Sequence, residues 1–202
     1  MSDRSKAILA RLPDPSGGRC LIALAGPPGS GKSSLAAPLV EQLTRRGRPA
    51  ALVPMDGFHL DNRILAARGL LPRKGAPETF DAAGFLALIA RLKHGEEVIA
   101  PCFDRDRDIA VAGAVEIPCS TKTVVVEGNY LLFDEAPWRS LAPLWDFSVF
   151  LDVAEEELRR RLVSRWKDHG LDDRAALERA EGNDLANAHR IRAARLPSTM
   201  TI

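Results

Sequence analysis

Residues 26–33 constrain this chain more than any other segment, because they read Gly-Pro-Pro-Gly-Ser-Gly-Lys-Ser and match the pattern G-x-x-x-x-G-K-[ST]. An apolar run over 20–25 precedes them with the composition of a buried strand, while Leu35, Leu39 and Leu43 follow at helical spacing. A strand, a glycine-rich loop and a helix in this order direct successive backbone N–H groups and the positive end of the helix at one point. The segment therefore predicts a loop that binds the phosphates of a nucleotide.

The side chains of this loop suit a nucleoside triphosphate with a divalent cation. Lys32 has the charge and the reach for the β- and γ-phosphates, and the Ser33 hydroxyl is a ligand that Mg²⁺ accepts. ATP and Mg²⁺ are thus the expected cofactors, although the loop itself does not distinguish ATP from GTP. The other loop residues that we expect to contact the nucleotide are small: Gly26, Gly29, Ser30, Gly31 and Ser34.

Length and composition indicate a single globular domain over residues 1–202. The net charge of +1 gives no general attraction to nucleic acid or to a membrane surface. Three widely spaced cysteines form neither a metal signature nor a disulfide framework, which is typical of a reducing cytoplasm. The sequence also offers no signal peptide and no apolar segment of transmembrane length. We therefore expect a cytoplasmic protein with a small-molecule substrate and no nucleic-acid or membrane partner; its oligomeric state stays open, with a homodimer as one option.

Apolar periodicity predicts strands that alternate with helices along the chain. The strand at 123–126 is the clearest, because Thr-Val-Val-Val is a β-branched run typical of the centre of a parallel sheet. This alternation indicates a mainly parallel, doubly wound α/β sheet, and with the phosphate-binding loop it predicts the three-layer α/β/α fold of the P-loop NTPase class. The other predicted strands are 20–25, 50–54, 97–101, 115–118, 147–153 and 199–202, and the predicted helices are 3–12, 32–46, 60–69, 81–93, 155–166 and 183–195.

Two carboxylates follow predicted strands, at the edge of the sheet where the phosphate loop also lies. Asp56 comes directly after the strand at 50–54 and could accept the proton of an acceptor hydroxyl, or it could be a turn residue before Gly57. Glu127 ends the strand at 123–126 and could hold Mg²⁺ or a substrate hydroxyl, or it could be an acidic turn residue. Because ligands of such sheets bind at the carboxyl ends of the strands, both residues are candidates for the site.

Basic residues could supply the positive charge that phosphoryl transfer requires. Arg161 and Arg165 lie four residues apart on the helix predicted at 155–166, so they either clamp phosphates together or form a solvated basic face. The charged segment 104–108, which contains Arg105, is either a solvated loop or a contact for a polar substrate. The other candidate contacts for the substrate are His59, Lys74 and Tyr130.

Four further segments resemble one family of kinases in their order along the chain. With the loop at 26–33, they make the chain similar to the P-loop kinases that group uridine kinase, phosphoribulokinase and bacterial pantothenate kinase. Within that group the chain looks most like the fructose-transport-system kinases, also described as nucleoside/nucleotide kinase-like proteins. The resemblance extends from residue 26 to about residue 195. The segments are Met-Asp-Gly-Phe-His at 55–59, Lys-Gly-Ala-Pro-Glu-Thr-Phe-Asp at 74–81, Pro-Cys-Phe-Asp-Arg at 101–105 and Glu-Gly-Asn-Tyr-Leu-Leu at 127–132.

The resemblance implies roles for four residues. Asp56 matches the aspartate regarded as the catalytic base, and Glu127 matches the acid that opens the glutamate-glycine motif of these kinases. Arg161 and Arg165 match the region of the arginine-bearing lid, which we place near 155–182. The catalytic residues that we predict are thus Lys32, Asp56, Glu127 and Arg165.

These features predict an ATP-dependent kinase that transfers the γ-phosphate to a hydroxyl of a small metabolite, and we expect a fructose-like sugar or a related polyhydroxy compound. Aromatic residues make up only 5% of the chain, and the polar segment 104–108 suits hydroxyls or an anionic group better than a stacked base. The sequence at 101–105 also departs from the uridine kinases, which carry Tyr-Asp and a histidine after the proline. A nucleoside stays open because Phe58, Phe80 and Phe103 could stack a base, as does a pantothenate-type acceptor. The alternative from another class is a nucleotide-dependent regulatory NTPase.

Overall fold

The computed structural model describes residues 3–14 and 17–202. In that part of the chain the strands are β1 (Cys20–Ala25), β2 (Ala50–Pro54), β3 (Val98–Asp104), β4 (Ile109–Ile117), β5 (Thr123–Gly128), β6 (Phe147–Phe150) and β7 (Met200–Thr201). Five of them form one sheet in the order β2-β5-β1-β6-β7, and each pair of neighbours in it is parallel. The mainly parallel, doubly wound sheet expected from the sequence is therefore confirmed.

Helices connect these strands and cover the sheet. A π-helical turn, Ala180–Leu185, joins the last two helices, and 3₁₀ turns occupy Met55–Phe58, Leu71–Arg73, Pro77–Thr79 and Trp138–Leu144. None of the helices in the described ranges combines the length and the apolar character needed to cross a membrane. The α-helices are α1 (Asp3–Leu9), α2 (Lys32–Arg45), α3 (Asn62–Ala67), α4 (Ala82–Lys93), α5 (Glu155–Asp168), α6 (Asp173–Arg179) and α7 (Ala186–Ala193).

The alternation of side chains along β1 divides the hydrophobic core into two layers. Leu21 faces one side of the sheet and belongs to a cluster with Phe85 of α4. Ile22 faces the other side and belongs to a cluster with Ile8 of α1 and Leu39 of α2. All five side chains are fully buried, so helices seal both faces of the sheet. The result is the three-layer α/β/α arrangement that the sequence predicted.

The register of the central strands brings three segments together at one edge of the sheet. Leu24 of β1 lies opposite Glu127 of β5, and Pro54 of β2 lies opposite Glu127 from the other side. The phosphate loop leaves β1 at this edge, and the turn with Asp56 leaves β2 beside it. Parallel strands must end on the same side, and here their register makes three adjacent strands end at the same level.

β3 and β4 form an antiparallel hairpin apart from the main sheet. Its strands extend farther than the predicted 97–101 and 115–118, because much of the charged segment between them also pairs. Gly57 lies against this hairpin, since a Cβ on Gly57 would come within 2.5 Å of the backbone oxygen of Pro101. This close approach holds the hairpin beside the turn that carries Asp56.

Candidate active site

The phosphate loop runs from the end of β1 to the start of α2. Gly31 caps α2 with a φ of 92°, a conformation that side chains rarely adopt. A Cβ on Gly26 would lie 2.9 Å from Oγ of Ser30 and 2.9 Å from the backbone oxygen of Leu151, so the loop has no space for one. Because the loop leads directly into the N-terminus of a 14-residue helix, its amides and the helix dipole suit a phosphate group.

The ammonium group of Lys32 is buried under this loop. Its Nζ donates to the backbone oxygens of Gly26 and Pro27, both at 2.9 Å. Burial lowers the pKa of Lys32 to about 8, against the opposing effect of the nearby Glu127 carboxylate. An ammonium group forms stronger hydrogen bonds with the charged oxygens of a phosphate than with backbone carbonyls. The environment of Lys32 therefore suits a bound phosphate.

Ser33 and Glu127 meet beside the phosphate loop. Oγ of Ser33, in the first turn of α2, donates a 3.0 Å hydrogen bond to Oε1 of Glu127. Glu127 is 6% exposed, and burial raises the pKa of its carboxyl although the Lys32 ammonium acts in the opposite direction. A hydroxyl and a carboxylate are oxygen ligands of the kind that Mg²⁺ binds together with nucleotide phosphates. This pair of oxygens therefore fits a nucleotide-bound Mg²⁺.

Asp56 lies in the 3₁₀ turn that follows β2. Its Oδ2 accepts a 2.8 Å hydrogen bond from Nη2 of Arg105, at the turn of the β3–β4 hairpin. Oδ1 has no hydrogen-bond partner among the described residues, and the side chain is 25% exposed into the cleft that also contains Lys32. A carboxylate held by one oxygen and open at the other can accept the proton of a hydroxyl in that cleft.

The ring of His59 lies between two aromatic rings. Its centroid is 4.0 Å from that of Phe80 and 4.8 Å from that of Phe103. Nδ1 lies 2.8 Å from the backbone oxygen of Asp56, so Nδ1 is the donor and Nε2 the acceptor of the neutral ring. Burial lowers the pKa of His59, which keeps the ring neutral near pH 7. His59 thus brings a fixed acceptor nitrogen to the cleft.

Lys74 lines the same cleft with its charge already paired. Its Nζ donates to Oδ1 of Asn62 at 2.7 Å and lies 2.8 Å from Oδ2 of Asp108. The ammonium also lies 5.1 Å from the centroid of the Phe103 ring, within cation–π range. These contacts fix Lys74 at the hairpin side of the cleft.

Tyr130 is the one predicted contact for the substrate that the structure does not bring into the cleft. Its side chain is fully buried, and its hydroxyl donates a 2.6 Å hydrogen bond to the backbone oxygen of Gly75. The ring packs against Phe133 and Trp138, with centroids at 5.4 Å from each. Tyr130 therefore positions the segment next to Lys74, and a direct contact with substrate would require the core to open.

The two arginines predicted for the lid differ in what they contact. Nε of Arg161 donates to Glu157 at 2.6 Å, and its Nη1 lies 3.2 Å from the backbone oxygen of Gly29 in the phosphate loop. Arg165 lines the cleft and forms no hydrogen bond or ion pair with its guanidinium in the part of the chain that is described. Burial lowers the pKa of Arg165, and the charge of Arg105 adds to this effect. The positive charge of Arg165 is therefore available to an anionic ligand in the cleft.

Sequence reasoning missed three residues of the cleft, which are Trp166 in α5, Arg179 at the end of α6 and Asp184 in the π-helical turn. Asp184 is 9% exposed, and its Oδ2 accepts a 2.6 Å hydrogen bond from Nε1 of Trp166. The guanidinium of Arg179, at the end of α6, lies 5.2 Å from the centroid of the Trp166 ring, and all three side chains line the cleft. The run Glu-Gly-Asn-Asp at 181–184 interrupts the apolar pattern, which is the only sequence signal for this turn.

The cleft has a volume of about 670 Å³ and extends from the phosphate loop to the hairpin. A volume of this order fits a nucleotide beside a small acceptor. Gly26 contributes only its backbone oxygen, through Lys32. The other predicted residues that line the cleft are Gly29, Ser30, Gly31, Lys32, Ser33, Ser34, Asp56, His59, Lys74, Arg105, Glu127, Arg161 and Arg165.

Comparison with known proteins relates the chain to one family of kinases. Residues 21–184 match the model of the Phosphoribulokinase / Uridine kinase family. The chain is 36% identical over 176 residues to the uncharacterized protein YggC of Escherichia coli K12, and this match covers 86% of this chain and 73% of that protein. It is 34% identical over 156 residues to a pantothenate kinase of Myxococcus xanthus, and this match covers 72% of the chain but 49% of the kinase.

Solved structures extend the comparison to the whole chain. A crystal structure from Silicibacter sp. TM1040, named "putative fructose transport system kinase", superposes with a TM-score of 0.93 at 56% identity and covers 100% of this chain and 99% of that one. Phosphoribulokinase from Rhodobacter spheroides superposes with a TM-score of 0.61 at 12% identity, covering 88% of this chain and 65% of that one. The second likeness is one of fold alone.

Proposed function

The chain belongs to the phosphoribulokinase/uridine kinase family and is an ATP-dependent kinase, and we propose that it transfers the γ-phosphate to a hydroxyl of a fructose-like sugar or a related polyhydroxy compound. The observation that carries this proposal is Asp56, a carboxylate with an open oxygen in the same cleft as the buried Lys32. An acceptor hydroxyl must lose its proton as its oxygen bonds to phosphorus, and a carboxylate in this position can take that proton.

Each residue of the cleft has its own role in the proposed phosphoryl transfer. ATP with Mg²⁺ supplies the phosphoryl group when bound. Asp56 accepts the hydroxyl proton on Oδ1 while Arg105 holds Oδ2 in place. Lys32 donates to phosphate oxygens and offsets the charge on the transferred group, and Ser33 and Glu127 would hold Mg²⁺, which would neutralise phosphate charge there.

The lid near 155–182 limits access of water to this reaction. Arg161 lies against the phosphate loop, and Arg165 lines the same cleft with a guanidinium that has no ion pair among the described residues. Both would move closer to the phosphates when α5 and the segment after it close over the nucleotide. Exclusion of water matters because an open site would lose the γ-phosphate to hydrolysis.

The lining of the acceptor side supports a hydroxyl-rich compound over a nucleoside. His59 offers a neutral ring nitrogen and Arg105 offers further N–H donors, which suit hydroxyl groups. Phe58 is 9% and Phe80 6% exposed, so neither presents an open face on which a base could stack. The exposed face of Phe103 is shared with the Lys74 ammonium. The name of the protein from Silicibacter agrees with a sugar acceptor.

We also carry forward the broader expectations drawn from composition. The proposal is a single kinase domain over residues 1–202 that works in the cytoplasm on a small molecule, without a nucleic-acid or membrane partner. Reduced cysteines and a net charge of +1 support it. A homodimer stays one option, which size-exclusion chromatography with light scattering would decide.

The experiment that tests the proposed function is a coupled assay of ADP release with a panel of acceptors. The panel contains sugars, sugar acids, nucleosides and pantothenate, each with MgATP and the purified chain. Release of ADP that rises sharply with a sugar or sugar acid supports the proposal. Stimulation by uridine or cytidine alone would assign a nucleoside kinase, and stimulation by pantothenate alone would assign a pantothenate kinase. A rate of ADP release that no acceptor increases would favour a regulatory NTPase.

A further inference from the structure

Trp166 of α5 has two arginines against its ring. The guanidinium of Arg165 is 5.5 Å from the centroid of its ring, and that of Arg179 is 5.2 Å away. Both distances are within the range of cation–π contact, so the indole supports two positive charges side by side. All three side chains line the cleft.

The charges of these two arginines are not neutralised within the described part of the chain. Neither guanidinium forms an ion pair there, and Arg179 uses only Nη1, which donates to the backbone oxygen of Pro72 at 2.8 Å. Two other cations of the cleft do form ion pairs, Arg105 with Asp56 and Lys74 with Asp108. The charge of Arg179 acts unfavourably on that of Arg165, and an anion bound to either guanidinium would reduce this repulsion.

Asp184 also lines the cleft, and its carboxylate bonds to Trp166. Its Oδ2 accepts the hydrogen bond from Nε1 of Trp166, and burial raises the pKa of its carboxyl. It influences Arg165 and Arg179 through space, yet it bonds to neither. Asp184 therefore holds the indole ring in its orientation and leaves the donors of Arg179 available to a ligand.

Arg165 and Arg179 lie at different positions in the cleft, which indicates different ligand groups for each. Arg165 is close enough to Lys32 to lower the pKa of that lysine, and the Asp56 carboxylate in turn raises the pKa of Arg165. Arg165 therefore lies near the groups that we assign to the transferred phosphate. Arg179 lies beside the segment that carries Lys74, because its Nη1 donates to the backbone oxygen of Pro72, two residues before that lysine. A group bound by Arg179 would therefore lie beside the segment of Lys74, on the side of the cleft that we assign to the acceptor.

We propose that the acceptor is a polyhydroxy compound that carries a carboxylate or phosphate, and that Arg179 binds this anionic group while a hydroxyl faces Asp56. The inference rests on the proposed function, because it names the class of acceptor for that reaction. Arg179 is then the residue that determines specificity for charged over neutral acceptors. The guanidinium plane offers two parallel N–H donors, which match both carboxylate and phosphate oxygens.

Binding of three probes tests the charge of the acceptor without turnover. D-fructose, D-gluconate and D-fructose 6-phosphate carry no charge, a carboxylate and a phosphate, respectively. Each is titrated by calorimetry into the full chain saturated with Mg²⁺ and a non-hydrolysable ATP analogue. We expect one of the anions to bind at least about tenfold more tightly than fructose, and its identity distinguishes carboxylate from phosphate. Fructose that binds as tightly as both anions, or the absence of binding by all three, would overturn the proposal.

Variants at position 179 test the assigned residue. Arg179→Met is expected to weaken binding of the preferred anion by roughly 10- to 100-fold and to leave the affinity for the ATP analogue unchanged. Arg179→Lys, which keeps the charge, should recover part of the loss. Arg174→Met is the matched control on α6, because its side chain is 88% exposed and pairs only with Glu178.

The outcomes separate this inference from the proposed function. An anion that binds through Arg179 and is never phosphorylated supports the anion subsite and refutes the kinase proposal for that compound. A loss of affinity for the ATP analogue in Arg179→Met would assign this arginine to the nucleotide and overturn the inference. Thermal melting of each variant shows whether the fold is intact, and Arg179→Lys decides the question if Arg179→Met does not fold.

Discussion

Arg105 donates a 2.8 Å hydrogen bond to Oδ2 of Asp56, across 49 residues of sequence. This bond joins the turn of the β3–β4 hairpin to the first turn after β2, so the hairpin reaches the site at the residue predicted to be its base. It leaves Oδ1 of Asp56 open to the cleft. The account of catalysis given above depends on that open oxygen.

Asp56→Asn keeps the shape of the side chain and removes its ability to accept a proton. We expect kcat to fall by roughly 10²- to 10⁴-fold, with KM for ATP unchanged, because the base acts only on the acceptor. The melting temperature should move little, since the Asp56–Arg105 pair is partly exposed and such pairs contribute below about 1 kcal/mol. Asp104→Asn on the same hairpin is the control and should keep the wild-type rate. A rate near that of the wild type in Asp56→Asn would make Asp56 a turn residue.

Lys32→Ala tests the nucleotide half of the cleft. Loss of the ammonium should lower kcat by roughly 10²-fold or more, because the lysine offsets charge on the transferred phosphoryl group. The fold should survive, since all three hydrogen bonds of Nζ are to atoms of the phosphate loop itself, in Gly26, Pro27 and Ser30. Lys122→Ala, an exposed lysine before β5, is the control. ADP release at the wild-type rate in Lys32→Ala would refute the assignment.

The two arginines of α5 should respond differently to substitution. Arg165→Met should lower kcat, because its unpaired guanidinium is available to the transferred group, while Arg161→Met should mainly raise KM for ATP through its contact with the phosphate loop. Arg160→Met is the matched control on this helix, with a side chain that is 71% exposed. If both test variants keep the wild-type kcat and KM, the helix is a solvated basic face and the lid lies elsewhere.

Binding of ATP should take up a proton above pH 8. Burial lowers the pKa of Lys32 from 10.5 to about 8, so between these values the folded chain without nucleotide has lost a proton that the unfolded chain keeps. The contribution of Lys32 to the free energy of unfolding therefore rises with pH across this window. ATP favours the charged ammonium, so it should bind up to about tenfold more weakly for each pH unit above 8. Calorimetry at pH 8.5 in two buffers of different ionisation enthalpy measures the proton uptake. Lys32→Met should abolish this component, and equal uptake in both proteins would contradict the assignment.

The sequence predicts the part of the fold in which one local pattern dominates. The bounds of β1 and β2 are those expected, and the predicted helix at 32–46 is α2 to within one residue, because a buried parallel strand and an amphipathic helix each have a strong period. The phosphate loop is likewise recognisable from Gly26 to Ser33.

The rest of the site depends on contacts that no local pattern encodes. The pairing of Asp56 with Arg105 follows from the packing of Gly57 against the hairpin. Arg179 ends α6 and Asp184 lies in the π-helical turn that follows, a local departure from helical periodicity that the hydrophobic pattern does not encode. Tyr130 looks like a substrate contact in sequence, yet its hydroxyl bonds to a backbone oxygen in the core.

The fate of the γ-phosphate is the most direct test of the central claim, that the cleft transfers phosphate from ATP to a hydroxyl. In one reaction with the best acceptor of the panel, ADP, inorganic phosphate and phosphorylated acceptor are quantified together by ³¹P NMR and mass spectrometry. We predict one phosphorylated acceptor for each ADP, little inorganic phosphate, and loss of the phosphorylated product in Asp56→Asn. ADP matched by inorganic phosphate with every acceptor, at the same rate in Asp56→Asn, would contradict the account.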